Sequence, residues 1–230
     1  MNERDNKAEL PADNRLALRR VARASRKAAL ATSLATDQGG RPYVSLVTLA
    51  FDHDLTPILL LSGLADHTRN LRAEPKAALL LDGTEGHANP QTGPRVTLVG
   101  TAEETDDPRL KARFLARHPA AALYAGFADF SIWTLRLERA HFVGGFARAV
   151  WFDAPLVPLA DSQAMAAAEP GLLERLAAEG GLPWQVTGLD MDGCDVLSEE
   201  RHHRVVFDPP AATPEQAFAA VLAATNAPLI

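Results

Sequence analysis

The chain is poor in cysteine and in long apolar runs. Cys194 is its single cysteine among 230 residues, which excludes a disulfide framework and a paired-cysteine metal site and favours a reducing compartment. No apolar run approaches the ~20 residues that a membrane-spanning helix needs, and the first residues, MNERDNKAEL, lack the apolar core of a signal peptide. We therefore expect a soluble cytoplasmic protein with no membrane partner and no metal site.

Several motifs of common enzyme classes are also missing. The chain has no G-x-G-x-x-G, no phosphate-loop lysine motif, no H-E-x-x-H and no G-x-S-x-G, which argues against dinucleotide folds, the common nucleotide hydrolases and zinc peptidases. The formal net charge of −6 argues against a nucleic-acid partner. His202 and His203 are adjacent, so in a strand they point to opposite faces and are poorly placed to share one metal.

What the chain does contain is a series of short β-rich runs bounded by turn residues. The predicted strands cover residues 29–35, 43–51, 57–62, 76–81, 95–100, 130–137 and 139–146. The first two are joined by a predicted hairpin turn at residues 37–40. Only short helices separate these runs, the clearest being a helix that begins at Pro108 and continues to about Arg117. This pattern predicts an antiparallel barrel and not a parallel sheet.

A helix rich in arginine precedes the strands. Its predicted extent is about Asp13 to Ala31, with Asp13 as its N-cap. Arg15, Arg19 and Arg23 repeat every four residues, a spacing of like charges that is unfavourable unless acidic groups lie opposite. This face either pairs with acidic residues elsewhere in the chain, which we favour, or it binds an anion or a partner.

The composition changes near Asp153, where Pro155 and Pro158 indicate a linker. The following residues predict a helix at 162–178, strands at 184–189, 194–197 and 204–207, and a last helix capped at Thr213. Asp192 and Gly193 predict the turn between the first two of these strands. The domains are therefore predicted as 1–153, an N-terminal helix with a barrel, and 154–230, a small α-β-β-β-α unit.

The polar insert between Ala65 and Pro75 interrupts the barrel strands. It predicts one or two turns of helix, with Asp66 or Thr68 as the cap. A helix start directs free N–H groups and a partial positive charge at one point. Together with His67, Arg69 and Arg72, this predicts a pocket for a phosphate.

Several segments resemble a known family. They are AALATSLATDQGGRPYVSLV, LLLSGLADHTRNLRAEPKAALLL, PRVTLVGTAEE, RHPAAALYAGFADFSIWTL and RAHFVGGFARAVWF. Residues 28–152 are similar to the FMN-binding split barrels related to pyridoxamine 5′-phosphate oxidase, in particular to their haem-utilisation (HugZ-like) branch. The residues from Trp184 onward are similar to the small C-terminal domain of that branch. The resemblance implies a mainly β fold with α-helices, a split barrel followed by a small α+β domain.

The resemblance also implies a cofactor site. The FMN phosphate would lie at the polar insert, the isoalloxazine ring would contact the second strand, and a polar side chain near the flavin would come from the strand at 95–100. The residues at the corresponding positions are Ser45, Ser62, His67, Thr68, Arg69 and Arg95.

Three functions follow from this resemblance. The first is a homodimeric flavin-dependent oxidoreductase or flavin carrier with FMN at the subunit interface, relying on the flavin's own redox chemistry because no general acid or base stands out. The second is a haem-binding or haem-degrading protein with His141 as a candidate iron ligand. The third is a non-catalytic sensor or binding module for a small molecule.

Overall fold

The computed structural model describes residues 10–35, 40–199 and 201–224. Its helices are α1 (Asn14–Ala24), α2 (Asp66–Ala73), α3 (Pro108–Arg117), α4 (Leu159–Glu179) and α5 (Pro214–Ala223). Its strands are β1 (Lys27–Ser33), β2 (Pro42–Phe51), β3 (Pro57–Ser62), β4 (Lys76–Asp82), β5 (Arg95–Thr105), β6 (Phe130–Val143), β7 (Ala149–Asp153), β8 (Gln185–Asp190), β9 (Gly193–Ser198) and β10 (Arg201–Val206). None of the helices in this described part is long and apolar enough to span a bilayer.

The first seven strands form one antiparallel sheet in the order β3-β2-β1-β4-β5-β6-β7. An additional pairing of β3 with β6 closes six of these strands into a barrel and leaves β7 as an extension beside β6. The expected antiparallel barrel is therefore confirmed. Most of the predicted turn at 37–40 lies outside the described residues.

Alternation along the strands explains why the barrel has a filled interior. In β1, Ala28, Leu30 and Thr32 are buried while the residues between them are partly exposed. β3 is apolar on both faces because its outer face is covered as well. Ile58 and Leu60 of β3 pack outside the barrel in a second cluster with α3.

The N-terminal helix is shorter than the predicted Asp13 to Ala31. It ends at Ala24 because Ser25 adopts an extended conformation, and Lys27 to Ser33 pair with β2. The small residues of β1 are compatible with a helix as well as with a strand. The pairing of this segment with β2 and β4 in the barrel selects the strand. The predicted N-cap is confirmed, since the Asp13 carboxylate accepts hydrogen bonds from the amides of Arg15 and Leu16.

The two strands predicted at 130–137 and 139–146 are one continuous strand, β6, and β7 was missed. The register of β5 against β6 shifts at Gly100, which keeps β6 paired along its whole length. A Cβ atom at Gly100 would collide with the Arg136 carbonyl oxygen, so only glycine fits this irregularity.

The C-terminal region forms a separate three-stranded sheet, in the order β10-β9-β8, packed against α4 and α5. Its core contains Met165, Leu172 and Phe218 from the helices with Val196 and Val205 from the strands. A hairpin turn joins β8 to β9 as predicted, but it is formed by Met191 and Asp192, one position earlier than the predicted Asp192 and Gly193. The predicted cap at Thr213, whose hydroxyl accepts from the Gln216 amide, is confirmed.

The arginines of α1 pair with acidic residues of this C-terminal sheet. Arg19 donates to both carboxylate oxygens of Asp192, with Nη2 2.7 Å from Oδ1. Arg23, which is 4% exposed, lies 3.5 Å from Asp190. The favoured interpretation of the arginine face is therefore correct about its acidic partners, but the pairs are buried rather than solvated.

Asp190 is the centre of this buried charge cluster. Arg204 donates to both of its carboxylate oxygens at 2.7 and 2.9 Å. Burial raises the pKa of Asp190, but Arg204 and Arg23 outweigh burial and hold this pKa well below its usual value. The carboxylate is thus charged, and it compensates two guanidinium groups that have little access to water.

We expect Asp190→Ala to lower the free energy of unfolding by about 3–5 kcal/mol, because it leaves buried Arg23 and Arg204 without their shared counter-charge. Urea unfolding followed by circular dichroism at neutral pH measures this loss. The matched control is Glu215→Ala, which removes an exposed partner of Arg175 and should leave the midpoint unchanged. Equal midpoints for the two variants would contradict a structural role for the buried cluster.

Candidate functional site

The start of α2 presents free backbone donors next to the barrel. Its N-cap is Ala65, which makes no side-chain hydrogen bond, so the predicted capping by Asp66 or Thr68 is wrong. Asp66 cannot cap because it lies inside the first turn, and Thr68 lies deeper still, on the buried side of the helix. The amides of Asp66 and His67 have no acceptor among the described residues, so they are available to a ligand.

Ser45 and His67 are brought together across two elements. The Ser45 hydroxyl on β2 lies 3.1 Å from Nδ1 of His67 on α2. Burial lowers the pKa of His67, and the nearby carboxylate of Asp66 only partly opposes this effect. His67 is therefore predominantly neutral near pH 7, and it offers hydrogen bonding rather than charge.

The two arginines of α2 are engaged with acidic residues. Arg69 contacts the carboxylate of Asp66 and donates to the Leu64 carbonyl oxygen at 3.0 Å. Arg72 lies 3.4 Å from Glu104, and its guanidinium is 5.9 Å from the ring centre of Trp133. Both cations are thus largely compensated inside the chain.

The remaining predicted phosphate contacts differ in their accessibility. Ser62 donates to Asp129 at 2.6 Å and accepts from the Leu64 amide, so its hydroxyl is already used. Thr68 is completely buried, and its hydroxyl has no hydrogen-bond partner among the described residues. The helix start therefore offers hydrogen-bond donors to a phosphate but little net positive charge.

Arg95 does not join this group within one chain. It lies at the start of β5, three strands from Ser45 on β2, which corresponds to about 14 Å across the sheet. Its guanidinium donates to the carbonyl oxygens of Gln91 and Gly93, both at 3.2 Å.

The outer face of the barrel carries a row of apolar side chains, which we call the outer row. Pairing registers align one residue from each of six successive strands: Leu46, Ala29, Leu80, Thr97, His141 and Trp151. Leu46 is 74% exposed, Leu80 44% and Trp151 47%, and neighbouring Val44 is 62% exposed. An apolar surface of this kind on a barrel is typical of a binding face or a subunit interface.

His141 lies within the outer row and stacks on Trp151. Their ring centres are 4.5 Å apart with an interplanar angle of 12°. Neither ring nitrogen of His141 has a hydrogen-bond partner in the described part of the chain. The guanidinium of Arg139 also lies 4.6 Å from the Trp151 ring centre. His141 thus offers an uncommitted nitrogen on an apolar surface with a cation beside it.

The outer row was not predicted from the sequence. The signal was present in β2, where apolar Val44 and Leu46 occupy the alternate positions that face away from the barrel interior.

Comparison with known proteins gives a consistent result. The family described as pyridoxamine 5′-phosphate oxidase matches residues 17–144, a little over half of the chain. The non-canonical haem oxygenase HOZ of Arabidopsis thaliana, a chloroplastic protein, is 38% identical over 113 residues, which cover 48% of this chain and 34% of that protein. The chain thus matches only about a third of the length of this relative.

Two solved structures are similar over nearly the whole chain. The protein Atu2129 of Agrobacterium tumefaciens, of unknown function, has a TM-score of 0.74 and 28% identity, covering 93% of this chain and 95% of its own. A haem-binding protein of Mycobacterium smegmatis has a TM-score of 0.57 and 27% identity, covering 96% and 98%.

Proposed function

The chain belongs to the pyridoxamine 5′-phosphate oxidase family, and we propose that it is a haem-binding protein that uses the outer face of its split barrel. The observation that carries the proposal is His141, whose ring nitrogens have no partner among the described residues and whose ring is held flat against Trp151.

The residues of the outer row suit a haem. A porphyrin is broad, flat and apolar, and exposed Leu46, Leu80 and Trp151 provide a matching surface. A histidine nitrogen is a common axial ligand of haem iron, and the stacking on Trp151 restricts the orientation of the His141 ring. Arg139, beside Trp151, donates to exposed Asp153 at 3.2 Å and would exchange this partner for a haem carboxylate.

The named relatives support the same ligand. HOZ is named a haem oxygenase, and the Mycobacterium smegmatis protein is described as haem-binding. When bound, haem would supply the redox chemistry of its iron. The part proposed for this chain is to ligate the iron through His141, cover the ring with apolar side chains and neutralise a carboxylate with Arg139.

A haem titration tests His141. Adding haemin to the purified protein should shift the Soret band to that of a histidine-ligated haem, and His141→Ala should remove this shift. The control is His87→Ala, in the loop between β4 and β5, which should leave the spectrum as in the wild type. An unchanged Soret shift in His141→Ala would refute His141 as the ligand.

A flavin is the second candidate, favoured by the uncapped start of α2 and the Ser45–His67 pair. The free amides would donate to the FMN phosphate, Ser45 would contact the isoalloxazine ring, and the flavin would supply its own redox chemistry to an oxidoreductase reaction.

The flavin proposal requires that FMN be bound through this helix start. The test is quenching of FMN fluorescence on titration with protein, where His67→Ala combined with Arg69→Ala should raise the Kd at least about tenfold. Arg95→Ala alone tests whether Arg95 contacts the flavin. Because Arg95 lies three strands from Ser45 within one chain, such a contact would have to come from the Arg95 of a second copy. Equal quenching by wild type and the double variant would exclude α2 as the phosphate site.

We further propose that two copies pair through the outer face and share the cofactor sites. The exposed apolar side chains of β2 and β4 provide the contact surface, because burying them removes apolar area from water.

Introducing a charge into the outer face should disrupt this pairing. We expect the wild type to elute as a dimer in size-exclusion chromatography with light scattering, and Leu46→Glu to shift it to the monomer mass. Thr48→Glu is the matched control, because it introduces the same charge two residues further along the same face of β2. It removes no large apolar side chain and should therefore dissociate the dimer less. A monomeric wild type would contradict the proposal.

A further inference from the structure

A cavity that shares no lining residue with the outer row lies between the barrel and the C-terminal sheet. It has a volume of about 400 Å³ and is bordered by α1, the segment that follows β4, and β10. This volume is within the range of small-molecule sites, about 300–1,000 Å³. We call it the interdomain cavity.

Residues of β10 border the cavity. Val205 packs into the C-terminal core, whereas His202, Arg204 and Val206 lie on the other face of the strand and line the cavity, and His203 borders it as well. His202 is directed towards the barrel side of its strand.

The cavity wall carries more positive than negative charge. Arg117 and Arg204 both pair with Asp195, and Arg204 also pairs with Asp190. Arg26 donates to the Arg117 carbonyl oxygen at 2.7 Å, and it has no carboxylate within 4.0 Å in the described ranges. Among the described residues, Arg26 is thus a half-buried cation that pairs directly with no carboxylate, although the charge of Asp195 acts on it from further away.

His202 adds unused hydrogen-bonding capacity at the same wall. Both of its ring nitrogens are shielded from solvent, and neither has a partner among the residues that the structure describes. Buried polar atoms normally find a partner in a folded protein, so this imidazole can form hydrogen bonds to a molecule that enters the cavity.

The electrostatic effects on these groups are those that a bound anion would offset. Burial lowers the pKa of Arg26, and the charge of Arg117 lowers it further. Burial also lowers the pKa of His202, and Arg26 and Arg117 add to this effect, with only Asp195 opposing it. An anion placed between Arg26 and His202 would favour the charged form of both.

The rest of the lining is largely apolar. Pro11, Val21, Pro94 and Val206 form this part of the surface. Two acidic residues, Asp82 and Glu85, also border the cavity, but both are exposed to solvent and therefore act on a bound ligand through water.

We propose that the interdomain cavity binds a small organic carboxylate. The carboxylate accepts hydrogen bonds from Arg26 and from protonated His202, and the apolar body of the ligand contacts Val21 and Pro94. The site is independent of the outer row and of α2.

Isothermal titration calorimetry of the full chain with a matched pair of ligands tests the proposal. The probes are 3-phenylpropionate and its neutral amide, 3-phenylpropionamide, which differ in charge and little in shape. We expect the acid to bind at least about tenfold more tightly than the amide, because only the acid forms charge-assisted hydrogen bonds.

Three variants assign the binding to this cavity. His202→Phe loses no hydrogen bond seen in the fold, so it should fold normally, weaken the acid at least about tenfold and leave the amide unaffected. Ala24→Trp places a large side chain from the exposed end of α1 into the cavity and should weaken both ligands. The control Arg175→Gln removes an exposed cation elsewhere and should change neither affinity.

Equal affinities of the acid and the amide would overturn the proposal, as would an acid affinity that is unchanged in both His202→Phe and Ala24→Trp. The absence of binding heat at about 5 mM acid would also overturn it. The affinity for the acid should be the same in haem-loaded protein and in His141→Ala protein. The haem proposal and the carboxylate proposal can therefore be refuted independently of each other.

Discussion

The buried ion pairs between α1 and the C-terminal sheet fix how the parts of this protein fit together. Arg23 is almost inaccessible to water, and besides Asp190 it contacts the carbonyl oxygens of Asp52 and His53, each at 2.6 Å. Separating α1 from the C-terminal sheet would leave several buried charges without their partners, and this costs free energy. One helix thus links the barrel loop at Asp52 to the C-terminal sheet. Other residues of α1, together with Arg204, border the interdomain cavity.

A second buried ion pair joins α3 to α4. Glu169 of α4 accepts two hydrogen bonds from Arg113 at 2.6 and 2.7 Å and lies 3.1 Å from His53. Burial raises the pKa of Glu169, but Arg113 and His53 outweigh it and lower the pKa to about 2. Because this folded-state pKa lies below the ordinary value, the carboxylate stabilises the fold above about pH 4.5, and the contribution is lost as the pH falls towards 2.

Local patterns in the sequence predicted most of the elements but few of these contacts. Alternation and turn residues identified the barrel strands, and the caps at Asp13 and Thr213 were found because capping depends on residues only two or three positions away. Arg19 and Asp192 are 173 positions apart, and no local pattern connects them. The end of α1 was misjudged for the same reason, since the pairing of β1 with β2 and β4 decided it. The unpaired state of Arg26 and His202 also emerges only when distant segments meet.

The charges around α2 distinguish the two cofactors considered for this barrel. A phosphate dianion is held best where a helix start is joined by cations that have no other partner. Here Arg69 is paired with Asp66 in the same turn, and burial keeps His67 mostly neutral. The helix start therefore retains the hydrogen-bonding geometry of a phosphate site without its charge. Haem does not need that charge at this position, because its principal requirements are an iron ligand and an apolar surface. The outer row presents His141 beside an apolar surface, which is the physical ground on which haem is proposed ahead of FMN.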